Sequence, residues 1–356
     1  MKLKMIYCLS VLIMSAGISA AESADLAKEI RLISKKMSIS EEEQALLITG
    51  LKSSDWRIRK SAAEAFEKCD KIYDDNLLVL INALDDKTGN VQFAVGKTLH
   101  RLLIKDHNRV NIYSKILRET ENNEIKAQLF QIFYFSQIIP GDISLLSIKE
   151  FDNPDHYVGA SAALCVARYN NERGLYLNKI AKLLNDNNIA VQMWTICAIG
   201  HFGAEAVSVL PQIELFLSSK EYVLKKSAIE AIMRIGKPST SSYPVIVNML
   251  KDKEITVRLN SLILIDTFDI STNGILNVLM EILDNEFTVA KKDSIMQSLF
   301  SNKDHEMFRI MLMKSIVKRD PGLQKSRALI DKGMDDPVDE VKSTARTLIH
   351  DFNVIK

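Results

Sequence analysis

Six histidines are the first side chains to weigh for chemistry: His100, His107, His156, His201, His305 and His350. A helix-borne zinc site needs two of them four apart with a glutamate between, and no His-Glu-x-x-His occurs. His100 and His107 stand seven apart and could share a helix face, but Lys105 and Asp106 predict a helix end between them. No Cys-x-x-Cys, Gly-rich phosphate loop, paired-carboxylate motif or local Ser/His/Asp neighbourhood is present. The sequence therefore assigns no catalytic residue, no metal ligand and no cofactor. Of the four cysteines, Cys8 lies in the leader described below, which leaves Cys69, Cys165 and Cys197. Three is too few for a disulfide framework. Cys165 and Cys197 are 32 apart. Neighbouring helix axes about 8–10 Å apart rarely bring two Cα atoms within disulfide reach. Buried free thiols are the expectation.

The chain has 356 residues, 47% hydrophobic and 26% charged, with 46 Lys plus Arg against 45 Asp plus Glu. This is a foldable composition, not a disordered or collagen-like one. It carries no bulk field that would draw it to nucleic acid or an anionic membrane. Residues 1–21 have the three-part layout of a secretory signal. Lys2 and Lys4 precede an apolar run from Met5 to Ile18, and Ser19-Ala20-Ala21 follows. Cleavage is expected before Glu22, or one residue earlier, after Ala20. The run is shorter than the ~20 residues a spanning helix needs. Cys8 lies inside the run, so a lipid anchor is not expected. None of the 21 Asn opens an Asn-x-Ser/Thr acceptor, which favours a bacterial periplasm over a eukaryotic secretory route.

Behind the leader, one local setting recurs. A β-branched anchor stands at Ile58, Val91, Ile125, Val158, Val191, Val223, Val257 and Val289, at intervals of 32 to 34. Six to eight residues earlier comes a large apolar residue: Leu51, Leu84, Leu117, Phe151, Leu184, Leu217, Leu250, Leu283. Small residues follow most anchors by five (Ala63, Gly96, Ala163, Ala228, Ser294), and core candidates follow by eight (Phe66, Leu99, Val166, Ile199, Ile265). Offsets of five and eight fit one face of a helix. Each unit reads as helix, short turn, helix. In residues 204–236, a helix over Ala204–Leu217 carries Val207, Leu210, Ile213 and Leu217. The turn is Ser218–Glu221, and a second helix over Val223–Ile235 stops at Gly236 and Pro238. Neither helix can bury its stripe alone, so units must stack.

Charge follows the same period. Acids precede many anchors at the turn: Asp85, Asp86, Asp152, Asp186, Asp252, Asp284, Asp335, Asp336. Bases follow: Arg59, Lys60, Lys126, Lys225, Lys226, Arg258, Lys291, Lys292, Lys342. One reading is structural, with turn acids accepting N–H groups of the second helix and bases pairing with neighbouring acids. The other is a basic strip along Lys225, Lys226, Arg258, Lys291 and Lys292, the candidate contacts for an acidic protein or peptide partner. Trp56, Tyr157, Ile189, Tyr222, Ile255 and Phe287 form a row of large apolar residues just before the anchors.

The pattern resembles HEAT repeats, in particular the short HEAT-like type to which pigment-attaching lyases are similar. Residues 203–235 and 236–268 carry it best, through Gly203-Ala-Glu-Ala, Leu210-Pro211, Leu217, Val223, Ala228 and Ile235-Gly236, then Pro244, Leu250-Lys-Asp252, Val257-Arg258 and Leu262. It covers roughly 44–300 and returns at Met334–Phe352 around Val341, 52 residues after Val289, where the register slips. The resemblance implies an all-α fold, an alpha-solenoid of stacked helix-turn-helix repeats. Residues 22–43 would be an N-terminal capping helix, with Ser40 and Glu43 as a capping box, 44–300 the array, and 301–356 an irregular repeat with C-terminal capping helices. Second helices would line a surface of the kind HEAT proteins use to hold other proteins. The expected function is a non-catalytic scaffold or adaptor of the periplasm. A HEAT-like lyase or isomerase, or a permanent accessory subunit of an envelope assembly, is the alternative. HEAT-like di-iron hydroxylases need several His-Glu pairs, and His305-Glu306 is the single one here.

Overall fold

The computed structural model describes residues 20–36, 38–69, 72–138, 141–293 and 303–355. Every regular element among them is helical. The chain divides into two compact units, one ending at Arg173 and the other beginning at Gly174.

The first unit holds α1 (Ala20–Ile33), α2 (Glu41–Leu51), α3 (Trp56–Phe66), α4 (Asp74–Asn82), α5 (Gly89–Lys105), α6 (Val110–Glu119), α7 (Asn123–Ser136), α8 (Gly141–Glu150) and α9 (His156–Tyr169). α1 buries Leu26, Ile30 and Ile33 against the first repeat. It starts earlier and ends earlier than the 22–43 capping helix the sequence suggests, and Met37 lies outside the described residues. Ser40 and Glu43 form the expected capping box at the start of α2. The second helices α3, α5, α7 and α9 pack on one another in that order.

The second unit holds α10 (Leu177–Ala181), α11 (Ile189–Gly200), α12 (Leu210–Glu214), α13 (Tyr222–Ile235), α14 (Tyr243–Asn248), α15 (Ile255–Thr267), α16 (Ile275–Asp293), α17 (Lys303–Arg319), α18 (Arg327–Lys332) and α19 (Asp339–Ile355). Here α11, α13, α15, α17 and α19 stack in order. Close approach is set by small residues. A Cβ on Gly200 would lie 3.1 Å from the Ala231 Cα, so α11 and α13 meet almost backbone to backbone.

The apolar residues ahead of each anchor are all buried, Leu51 through Leu283, and so are the core candidates eight after it. First helices are less regular than their periodicity suggests. The expected helix Ala204–Leu217 is a 3-10 stretch (Gly203–Val209), one α-helical turn around Pro211, and a second 3-10 stretch (Leu215–Ser218). Its rotation per residue differs from α, so Ala206 and Val209 turn inward and Val207 turns out. Several first helices end in the same 3-10 tightening, at Ala83–Asp85, Lys182–Asn185, Met249–Lys251 and Gly333–Asp335.

Two anchors move. Leu224, not Val223, is the buried anchor of α13. Val289 is no anchor: α16 runs unbroken from Ile275 to Asp293, Phe287 and Ala290 are buried on it, and Val289 is 49% exposed. Phe287 therefore leaves the turn row, and Ser294 lies outside the described residues. The true counterpart is Phe308, fully buried on α17 and 33 residues before Val341. The slip is an insertion between Val257 and Phe308, built into a lengthened first helix, and the repeat resumes after it. The last helix buries Val341, Ala345 and Ile349 and exposes Asp339 and Arg346, as a terminal cap requires.

Candidate functional site

The turns between helices follow one local rule. A side-chain oxygen accepts the backbone N–H two residues on, closing a small turn that delivers the N-cap of the second helix. Asp86 takes Thr88 N at 2.8 Å, Asp186 takes Asn188 N at 2.7 Å, Asp252 takes Glu254 N at 3.0 Å and Asp336 takes Val338 N at 2.9 Å. Asn153 and Ser53 do the same for Asp155 and Asp55. The caps proper are Asp55, Asp155 and Asn188, which accept from the residue two further along. The acids expected to cap thus stand one step earlier.

The carboxylates of Asp86, Asp252 and Asp336 also face the preceding repeat. The residue after the anchor is a base that reaches across: Arg59 to Asp86, Lys126 to Glu150 at 3.1 Å, Lys225 to Asp252, and Arg309 to Asp336. These groups are almost enclosed; the Arg309 and Asp336 side chains are 3% and 0% exposed. Burial works against ionising Asp86 and Asp252. The Arg59 guanidinium and the Lys225 ammonium, helped by the turn N–H groups, outweigh it and hold both carboxyls below the usual range. At Arg258 the insertion changes the acid. Glu286, midway along α16, replaces the turn Asp, accepting Arg258 Nη1 at 2.6 Å with His305 Nδ1 2.9 Å away. Three steps of the series carry no base: Gln92 follows Val91, Gly159 has no side chain, and Gln192 turns back to the carbonyls of Leu184 and Asp186.

This relocates the basic strip. Lys225 and Arg258 are drawn into pairs between repeats and are not displayed as a row. Lys226 is exposed, 3.8 Å from Glu230 on its own helix. Lys291 and Lys292 sit in the last turn of α16, not at the head of a second helix, because the expected turn before Val289 is helical. Their side chains lie outside the described residues.

The apolar row is better placed. Trp56, Ile189, Tyr222 and Ile255 are each the first residue of a second helix, and Tyr157 is the second. Ile189 is 42% and Tyr222 is 48% exposed, with Trp56, Tyr157 and Ile255 half-buried. Cys165 and Cys197 do not pair and are free thiols. Burial pushes Cys165 up to about 12 and Cys197 up to about 11. His107 lies in a separate 3-10 turn after Asp106, so it does not share a helix with His100. Among the described residues no group of three or more His, Cys, Asp or Glu side chains is arranged to hold a metal. No described helix is long and apolar enough to cross a membrane.

Fold and surface define the class: an all-α solenoid of stacked helical repeats. No protein-family model matches the chain, and no curated protein does. Solved structures do. The X-ray structure of YibA from E. coli aligns over 85% of this chain and 97% of its own, at 16% identity and a TM-score of 0.50. Kap95p, from a structure with RanGDP, aligns over 91% of this chain and 47% of its own, at 12% identity and a TM-score of 0.38. A homology model of the AP-3 complex aligns over 97% and 84%, at 14% identity and 0.37. The YibA likeness is one of fold alone, and the two weaker ones carry no argument about this chain.

Proposed function

We propose that this chain is a short HEAT-like repeat protein that works by binding: a non-catalytic scaffold of the bacterial periplasm that holds a protein or peptide partner along its second helices. The observation that carries the reading is the row Ile189, Tyr222 and Ile255. Three successive repeats of the second unit open their second helices with a large apolar side chain at one position. Two of the three are more than 40% exposed although the core beneath them is complete. Between the Tyr222 and Ile255 repeats the Lys225–Asp252 pair lies beneath the turn and holds the two helix heads in register, so a partner meets a preformed surface there at little ordering cost. An aromatic anchor such as Tyr222 is of the kind that dominates binding energy on such a surface. The leader over residues 1–21 supports export.

The test is a photo-crosslinking amino acid in place of Tyr222 in the exported full-length chain. The reading expects one discrete polypeptide adduct, lost when Ile189 and Ile255 are both changed to Asp. Illumination that yields no protein adduct would overturn it.

A further inference from the structure

A second column of side chains repeats at the opposite ends of the second helices, on their last turns or just past them. Ten residues after each anchor of the first unit stand Lys68, Arg101, Phe135 and Arg168. Helix C-termini leave carbonyls unbonded and carry partial negative charge, and the cations of this column answer both. Lys68 donates to the Ser34 carbonyl, Arg101 pairs with Glu67, and Arg168 Nη1 donates to the Tyr134 carbonyl at 3.2 Å. That structural demand uses few of their donors. The Arg168 bond to the Tyr134 carbonyl is made through Nη1. Its guanidinium lies 5.3 Å over the Tyr134 ring and 5.6 Å over the Tyr169 ring, and Tyr169 Oη donates to the same Tyr134 carbonyl at 3.3 Å. A guanidinium held against two rings loses little further freedom when it binds a carboxylate. Phe135 sits beside it, 50% exposed and edge-on to Tyr134 at 4.8 Å.

We infer that Lys68, Arg101, Phe135 and Arg168 form a docking ridge for an extended acidic segment of a protein partner, with carboxylates at the cations and an apolar side chain at Phe135. Adjacent helices lie about 8–10 Å apart, and an extended chain advances about 3.3 Å per residue. Three residues of such a segment therefore span one rung. A fitting segment carries acids at its first, fourth and tenth positions and an apolar residue at its seventh. The inference rests on the binding-scaffold reading and names the partner's chemistry. It also places the basic ridge at the helix ends, where the cations keep exposed donors.

The test uses the full-length chain and a fluorescent ten-residue peptide with glutamates at its first, fourth and tenth positions and a leucine at its seventh, the rest serine and threonine. Its control is a scrambled peptide of the same composition. Fluorescence anisotropy at low salt should show the registered peptide binding at least tenfold more tightly. Arg101→Glu and Arg168→Glu should each weaken binding at least tenfold, Phe135→Ser several-fold, and Lys149→Glu on the exposed side of α8 not at all. Arg168 packs on two rings, so Lys68→Glu, at an exposed position, serves as a second charge reversal, and circular dichroism checks each fold. Equal binding of the two peptides, or reversal variants that bind like the parent, would overturn the ridge. So would equal binding of a single-stranded oligonucleotide. A Tyr222 crosslink obtained alongside such a failure would leave the scaffold reading standing and remove the ridge alone.

Discussion

Arg59 and Asp86 lie 27 residues apart and meet as a fork on a carboxylate, Nε to Oδ2 at 2.6 Å and Nη2 to Oδ1 at 2.9 Å. The same guanidinium also holds the Ser53 carbonyl at 2.9 Å, so one side chain ties the turn of its own repeat to the turn of the next. Removing the acid alone leaves a buried cation without its counter-charge. Asp86→Ala should cost about 3–5 kcal/mol. Replacing both partners together, Arg59→Met with Asp86→Leu, should cost far less, within about 1–2 kcal/mol of the parent. Urea unfolding monitored by circular dichroism reads both. A single variant as stable as the parent would show that the pair does not bind the repeats together.

The lowered carboxyls of Asp86 and Asp252 tie stability to pH in a definite direction. A group whose folded pKa lies below its unfolded value stabilises fully above the ordinary carboxylate range, about 4. That contribution is lost as pH falls through the folded value. Asp320 belongs with them. Burial opposes its charge, and the N–H groups of Lys325, Ser326 and Gln324 with the Ser326 hydroxyl outweigh it. The urea midpoint of the parent should be flat down to about pH 5 and fall below pH 4. Asp86→Asn and Asp252→Asn should start lower and fall less steeply across that window. A variant slope as steep as the parent's would assign the acid sensitivity to other groups.

Gly200 has no room for a larger side chain, because the atom it would meet is backbone. The Ala231 Cα at 3.1 Å cannot rotate aside. Gly200→Val should destabilise the second unit by about 1–3 kcal/mol through overpacking. The same change at Gly89, where a Cβ meets nothing within 4 Å, should have a much smaller effect. Thermal unfolding of the two variants side by side reads the difference.

Thiol chemistry should follow burial. Cys69 and Cys165 are buried, and Cys197 is partly so. With Cys165 pushed up to about 12 and Cys197 up to about 11, neither presents appreciable thiolate at neutral pH. Iodoacetamide should leave the native exported chain unlabelled on the time scale that modifies free glutathione. In denaturant without reductant it should label three thiols. A count of one would mean that two of them are joined.

Much of this architecture could be read from residue types and spacing, for an identifiable reason. A buried stripe must recur with the helix period, and a stacked repeat must recur with the unit period, so Leu51 through Leu283 and Phe66 through Ile265 declare themselves. The destinations of the charges did not. Pairing of the bases with neighbouring acids is one of the two readings the sequence offers, but a helix period cannot say that the acid 27 or 28 residues on is the partner of Lys225 and Arg258. The signal was present, since a base one after an anchor and an acid five before the next are separated by one unit less six residues. Val289 misled through its type: a β-branched residue at the right interval stands on the outside of a continuous helix. Its true counterpart, Phe308 followed by Arg309, is not β-branched, but it repeats the interval to Val341 and Lys342. The Arg168 and Phe135 column went unseen because it requires knowing where each second helix ends.

The central claim is that the chain works by holding another polypeptide. Its most direct test is native mass spectrometry of the tagged, exported full-length protein recovered gently from envelope extract. The account predicts a mass excess equal to a discrete second polypeptide, released by collisional activation and absent when Tyr222, Ile189 and Ile255 are changed to Asp. A chain that flies at its own mass, or with only a small bound molecule, would contradict it.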